Sequence, residues 1–244
     1  MKPWAAFLLA AAVSLPLAAY ATSYNDKTAA EEGGSSYSVF NRNGGSAVGR
    51  YQITAGTWAQ LGYFQYAGSG SKSDWSNYVA TAKAEAAGVD SLDELRFTSA
   101  GAALQDQANT ELAARNWAAL SSATRGLVGE TVNGVEITED GLLGAAHFLG
   151  AGALNDWVAS GFDPRALPAD YLKANGFTSY AELQDAVLGR IAAMNGGSYD
   201  GSAVAAAGAS GGMYGRTEGF PGIGGRRPIL IREVPPFQGE KATL

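Results

Sequence analysis

The sequence predicts a mainly α, single-domain fold with one small β-ribbon, and three observations carry that expectation. Apolar residues recur at helical spacing in several stretches, most clearly Leu104, Ala108, Leu112 and Ala119, and again Leu183, Val187, Leu188 and Ile191. Short Gly/Ser-rich connections separate these stretches. Period-two alternation is confined to one piece around Asn133-Gly134, with Val135 and Ile137 on one side. Hydrophobic residues make up 46% of the 244 residues, which is ordinary for a packed protein and too high for a disordered one.

The order of elements begins with a leader. Lys2 precedes an apolar run from Ala5 to Leu17, and Ala19-Tyr20-Ala21 gives the small-x-small pattern of a signal-peptidase site. The run is shorter than the 18–20 or so uninterrupted apolar residues of a membrane anchor. Residues 1–21 are therefore expected to be a signal peptide that sends the chain across the inner membrane to the periplasm or beyond, with no stable membrane span. A short helix is expected over Asn25 to Glu32, capped by Asn25 or Asp26. Residues 33–50, rich in Gly, Ser and Asn, are expected to form an ordered loop or small hairpin. Thr54 to Leu61 reads as a helix, as does Asp74 to Ala87 with Trp75, Tyr78, Val79 and Ala82 on one side.

Ser99 to Leu120 carries the strongest helical pattern, with Gln105, Asp106, Asn109 and Glu111 directed away from the apolar face. After the Asn133-Gly134 turn, Thr138 or Asp140 can cap a helix through Leu142, Leu143, Ala146 and His147. Ser179 to Met194 closes the folded part. The domain is thus expected over 22–195, a length of about 170 residues that buries a sizeable core. A Gly/Ala/Pro-rich tail over 196–244, poor in packing residues, is expected to be disordered.

Composition removes several kinds of chemistry. There are no cysteines, so disulfides, thiolate metal sites and cysteine nucleophiles are excluded, and the single histidine excludes a multi-histidine metal site. With 23 acidic against 17 basic residues and a net charge of −6, the chain has no basic nucleic-acid footprint.

Two segments remain as candidates for chemistry. The first runs Glu31-Glu32-Gly33-Gly34-Ser35-Ser36-Tyr37-Ser38-Val39-Phe40-Asn41 and continues to Gly49-Arg50-Tyr51-Gln52-Ile53. A carboxylate ending a short helix beside apolar and aromatic neighbours is suited to general acid work near neutral pH. The second segment is Gly144-Ala145-Ala146-His147-Phe148-Leu149-Gly150-Ala151-Gly152-Ala153-Leu154, in which small residues flank the lone histidine. Small residues there allow close approach of a backbone or ligand.

In order and spacing these segments resemble the lysozyme-like lytic transglycosylases of bacteria and their phages. In that family a glutamate ends a helix, small polar residues follow, and a Gly-x-x-Gln element comes later. Gly49-Arg50-Tyr51-Gln52 matches that element in the form common among cell-wall lysins. The family's Ala-Tyr-Asn-Ala-Gly motif has Ala146-His147-Phe148-Leu149-Gly150 in its place, so His147 and Phe148 stand where Tyr and Asn are usual. The resemblance implies a lysozyme-like domain that cleaves the β-1,4 bond between N-acetylmuramic acid and N-acetylglucosamine in peptidoglycan, leaving a 1,6-anhydro product. It implies no metal or cofactor. A single glutamate acts as acid and then base, and Gly49, Tyr51, Gln52, Tyr37, His147 and Phe148 contact the glycan. Aligning Glu-x-Gly-Gly puts the acid at Glu31, whereas aligning the distance to Tyr37 puts it at Glu32. Adjacent helical residues point about 100° apart, so both cannot face one cleft, and Glu32 is favoured.

Two rivals stay open at this stage. A lysozyme-type muramidase would need a second carboxylate, for which Asp74, Glu85 and Asp106 are candidates. A catalytically inactive peptidoglycan-binding or scaffold protein, serving a cell-envelope secretion or conjugation apparatus, would keep the fold without the chemistry.

Overall fold

The computed structural model describes residues 24–41 and 45–196, and within them the protein is mainly helical, with two small antiparallel ribbons. The expected leader over 1–21 and the tail beyond residue 196 lie outside the described residues. Among the described residues, no helix is long and apolar enough to cross a membrane.

The chain builds two hydrophobic cores with one helix set between them. Helix α1 covers residues 24–31, so Glu32 lies just beyond its last turn. Asn25 does not cap it. Its side chain faces inward, accepting from Asn109 Nδ2 at 2.8 Å and donating to the Asp106 carbonyl at 3.2 Å. The following loop is ordered by isolated bridges Phe40–Val48 and Val48–Ile53, then Thr54 caps α2 (Ala55–Gln60) by accepting from the Thr57 N–H.

The helix expected over 74–87 is absent. A 3-10 turn at Trp75–Asn77 leads into strand β2 (Tyr78–Ala80), which pairs antiparallel with β1 (Phe64–Tyr66), and only α3 (Ala82–Ala86) is helical. Asp74 caps the 3-10 turn by accepting from the Ser76 N–H, Trp75 donates its indole N–H to the Ser46 carbonyl at 2.7 Å, and Val79 faces solvent. Those local bonds divide a segment whose aromatic spacing imitates a helix. Trp58, Tyr63, Phe64 and Trp75 meet edge to face at 5.1–6.0 Å and form the heart of the first core, which Leu95 on α4 (Leu92–Phe97) completes.

Helix α5 (Ser99–Ala119) is 21 residues long, about 30 Å, and it packs against α4 at one end and the second core at the other. Leu104 and Ala108 are buried as expected, but Gln105 and Asn109 are buried too, while Ala119 is exposed. The reason is that a second face of α5 packs on polar backbone and on α1, not on solvent. After α6 (Ser122–Arg125), strands β3 (Thr131–Val132) and β4 (Val135–Glu136) form the anticipated ribbon. Asn133 and Gly134, at φ 48° and 81°, make its tight turn.

Thr138, not Asp140, caps α7 (Glu139–Leu149), which turns at Gly150 (φ 80°) into α8 (Ala151–Ala159). Helices α9 (Ala169–Asn175) and α10 (Tyr180–Met194) follow, the latter capped by Ser179. Their apolar faces form the second core with Leu142, Phe148, Leu154, Trp157, Val187 and Ile191. Helices α7 and α10 approach closely because Gly141 and Gly144 lie between them: a Cβ there would stand 2.7 Å from Ile191 Cγ2 and 2.5 Å from Met194 Cγ. A small third cluster of Tyr24, Ala113, Leu143 and Met194 ties α1 to both sides, and Lys27 adds an ion pair with Asp140.

Glycines separate cleanly by this packing. A Cβ at Gly101 would lie 2.2 Å from the Glu94 carbonyl oxygen and 2.4 Å from that of Leu95, backbone atoms that cannot rotate aside, so Gly101→Ala is expected to cost about 1–3 kcal/mol. Gly152, inside α8 with nothing within 4 Å of its virtual Cβ, should instead gain about 0.5–1 kcal/mol on Gly152→Ala. Urea unfolding of the two variants checks both signs.

Candidate active site

The end of α1 is pinned to the Gly49–Gln52 segment by backbone contact. The Gly33 N–H donates to the Arg50 carbonyl at 3.1 Å, and a Cβ at Gly33 would stand 2.8 Å from the carbonyl oxygens of both Gly49 and Arg50. Only glycine permits that approach. Gly49 itself has φ 81°, and a side chain there would collide with Gln105. Gln105 is the clamp on the other side, accepting from the Arg50 N–H at 2.9 Å and donating to the carbonyls of Leu95 (2.7 Å) and Tyr37 (3.0 Å). The motif segment therefore has a fixed position relative to Glu32.

Glu32 faces the second core, where α7 and α10 meet α1. Its Oε1 accepts from Arg190 Nη1 on α10 and lies 3.8 Å from His147 Nε2 on α7; the three side chains are 1%, 3% and 3% exposed. His147 Nε2 also lies 3.0 Å from the Tyr51 carbonyl. A carbonyl can only accept, so the neutral ring carries its proton on Nε2 and leaves Nδ1 as a lone pair. Burial pushes the His147 pKa below its ordinary value; the Glu32 carboxylate opposes this and Arg190 reinforces it. The Arg190 guanidinium lies 4.8 Å over the Phe148 ring, and the buried Tyr24 phenol is near enough to feel Glu32, Asp140 and Arg190. Three buried polar atoms of this cluster have no partner: Glu32 Oε2, Arg190 Nη2 and His147 Nδ1.

Tyr51 joins this cluster to a second one. Its hydroxyl donates to Asp106 on α5 at 2.6 Å, and the Tyr37 hydroxyl donates to the same carboxylate at 2.9 Å. Burial, the carboxylate and its hydrogen bond raise the Tyr51 pKa, so the phenol stays protonated as the donor. Arg50 lies over both rings at 5.5 and 5.7 Å and pairs with Asp26 at 2.7 Å. A pocket of about 350 Å³ opens here, with Asn25, Asp26, Arg50, Tyr51, Asp106 and Thr110 among its walls; Glu32 is not one of them.

The structure thus gathers Glu32, Gly49, Tyr51, Gln52 and His147 from distant parts of the chain, with Tyr37 attached through Asp106. Gln52 holds a left-handed turn (φ 47°) and spends its Nε2 on the Gly49 carbonyl at 2.8 Å. Glu31 stays on the last turn of α1, partly buried, while Glu32 is the glutamate that enters the cluster. Phe148, expected as a glycan contact, is a core residue: it is 2% exposed and edge-on to Tyr171, because the α7 face carrying it is covered by α9 and α10. Among the candidate second carboxylates, Asp74 caps its 3-10 turn, Glu85 is exposed on α3 and Asp106 is engaged by two phenols. Among the described residues, no group of three or more metal-ligating side chains is assembled.

Arg190 is the member of the cluster that the sequence reading does not single out. A signal for Arg190 was present, since a charge at 190 interrupts the apolar stripe of 183, 187, 191 and 194 on its inward face.

Two outcomes follow from the burial of these charges. Arg190→Met leaves Glu32 buried without its cation and should cost about 3–5 kcal/mol, most of it recovered in the Glu32→Gln/Arg190→Met double variant, as a urea-unfolding cycle would show. Because the folded His147 pKa lies below the unfolded value of about 6.5, the unfolded chain binds the proton first as pH falls. Its contribution is intact above that value and is lost as pH drops toward the lowered folded value. Wild type should therefore lose more stability between about pH 7.5 and pH 5 than His147→Gln does. Comparison with protein-family models, curated proteins and solved structures yields no match, so the site stands on its own geometry.

Proposed function

We propose that this protein is an exported peptidoglycan lytic transglycosylase with a lysozyme-like domain, in which Glu32 is the acid and base. The observation that carries this reading is the convergence on one carboxylate of segments far apart in sequence: Gly33 pressed onto Gly49 and Arg50, the Tyr51 carbonyl, and His147 from the second motif. The two cores with Glu32 at their junction agree with a lysozyme-like arrangement of two halves around a glycan cleft.

In the proposed reaction, protonated Glu32 gives its proton to the glycosidic oxygen as the C1–O bond of N-acetylmuramic acid breaks. The substrate's N-acetyl group meets the charge that develops at the anomeric carbon. Ionised Glu32 then takes the proton of the C6 hydroxyl, whose oxygen closes the 1,6-anhydro ring, and the acid is regenerated. One carboxyl group suffices, whereas a hydrolase of the usual kind needs two. Because the Glu32 side chain is 1% exposed, glycan binding must open a path to it.

The same 1% exposure favours a second reading, in which the pair is permanently closed and the chain binds peptidoglycan without cutting it, as part of an envelope secretion or conjugation apparatus.

Mass spectrometry of peptidoglycan digested with the chain beginning at Thr22 separates the readings. Anhydro-muropeptides are expected from wild type and from Glu31→Gln, with release reduced at least about 100-fold in Glu32→Gln. Reducing-end products would replace the transglycosylase with a muramidase. Sedimentation with peptidoglycan but no release would establish the binding protein instead.

A further inference from the structure

We infer that Arg190 is a positioning residue for Glu32: it holds the carboxylate by Oε1, on the side shared with His147, and leaves Oε2 as the oxygen that carries the moving proton. The inference rests on the reading of Glu32 as the acid and adds to it a residue from α10, outside both sequence motifs.

The geometry is asymmetric. Oε1 accepts from Arg190 Nη1 and is 3.8 Å from His147 Nε2, which carries the ring proton because it faces the Tyr51 carbonyl at 3.0 Å. The guanidinium therefore engages one oxygen, and Oε2 has no protein partner. Of the two oxygens, the one that faces the guanidinium is the poorer site for a proton, and Oε2 is the better one. When Oε2–H gives its proton to a glycosidic oxygen, the carboxylate left behind stays held through Oε1, and Oε2 is oriented to take the next proton.

Arg190 is itself fixed. Its guanidinium lies over Phe148, and the α7–α10 contact at Gly141 and Gly144 sets the level at which position 190 meets α1. This also gives Phe148 a role, since its ring supports the cation that holds the acid. The charged and titratable groups facing the cluster are Tyr24 from α1, His147 and Asp140 from α7, and Arg190 from α10, with Asp140 paired to Lys27.

His147 is the only histidine of the chain, so its ring signals in an NMR titration need no assignment. Titrations of wild type, Arg190→Met, Arg190→Lys and Glu32→Gln would be combined with kcat and KM on peptidoglycan. Loss of the cation should move the His147 midpoint upward in Arg190→Met, loss of the carboxylate should move it downward in Glu32→Gln, and Arg190→Lys should stay near wild type. In turnover, Arg190→Met should lose at least about 10-fold in kcat with KM within about twofold, and Arg190→Lys should recover part of the loss. If Arg190→Met does not fold, Glu32→Gln/Arg190→Met compared with Glu32→Gln reads the same upward shift. An unmoved midpoint, or a loss confined to KM, would overturn the assignment of Arg190. A wild type that titrates as described but releases no muropeptide would sink the enzyme reading, and the positioning role with it.

Discussion

An ion pair that is almost wholly removed from water constrains everything around it. Taking a carboxylate and a guanidinium out of solvent costs several kcal/mol for each, and mutual attraction offsets that only when the geometry is good and the approach is enforced. Here the enforcement is distributed. Gly33 presses the end of α1 onto the Gly49–Arg50 backbone, so Glu32 cannot drift, and the glycines of α7 let α10 come near enough for Arg190 to reach it. Neither partner is placed by its own neighbours in sequence. The cluster exists only when both cores have formed and α1 is seated between them, which couples its assembly to the folding of the whole domain.

The same arrangement explains why the motif residues are so unevenly occupied. Gln52 and Gly49 serve backbone geometry, Tyr51 is shared between two clusters through its carbonyl and its hydroxyl, and His147 is kept neutral by burial. Asp106 organises the exposed side, where two phenols and an arginine are stacked beside a pocket, while Glu32 and Arg190 organise the closed side. The buried ion pair and the open pocket are thus on different faces of Tyr51.

Much of this was legible in the sequence where the signal is local. The stripes of α5 and α10, the Thr138 cap offered beside Asp140 and the Asn133-Gly134 turn follow from periodicity and turn chemistry that need no tertiary context. The segment 74–87 was misread because Trp75, Tyr78 and Ala82 fall at helical intervals, although three-residue strands and a 3-10 turn use the same residues. Gln105 and Asn109 read as surface residues since polar side chains on a helix usually are; their burial depends on a polar backbone loop and on Asn25, which lie far away in the chain. For the same reason the glutamate could be narrowed to two neighbours but its cation could not be named. Which helix ends face each other is a property of packing, and α10 reaches α1 across 158 positions.

The two glycines of α7 carry a mechanical consequence. Ile191 and Met194 sit in the gaps that Gly141 and Gly144 leave, so the contact behaves as a pair of detents. A helix held by detents resists sliding smoothly along its neighbour; it rests in one notch or jumps by a turn, about 5.4 Å. The axial register of α10 is therefore discrete, and so is the location of the positive charge it delivers to the interior. A single residue inserted into α10 ahead of position 190 would rotate that charge by about 100° without changing the composition of the helix, which makes the length of this segment, as much as its residues, part of what heredity must preserve.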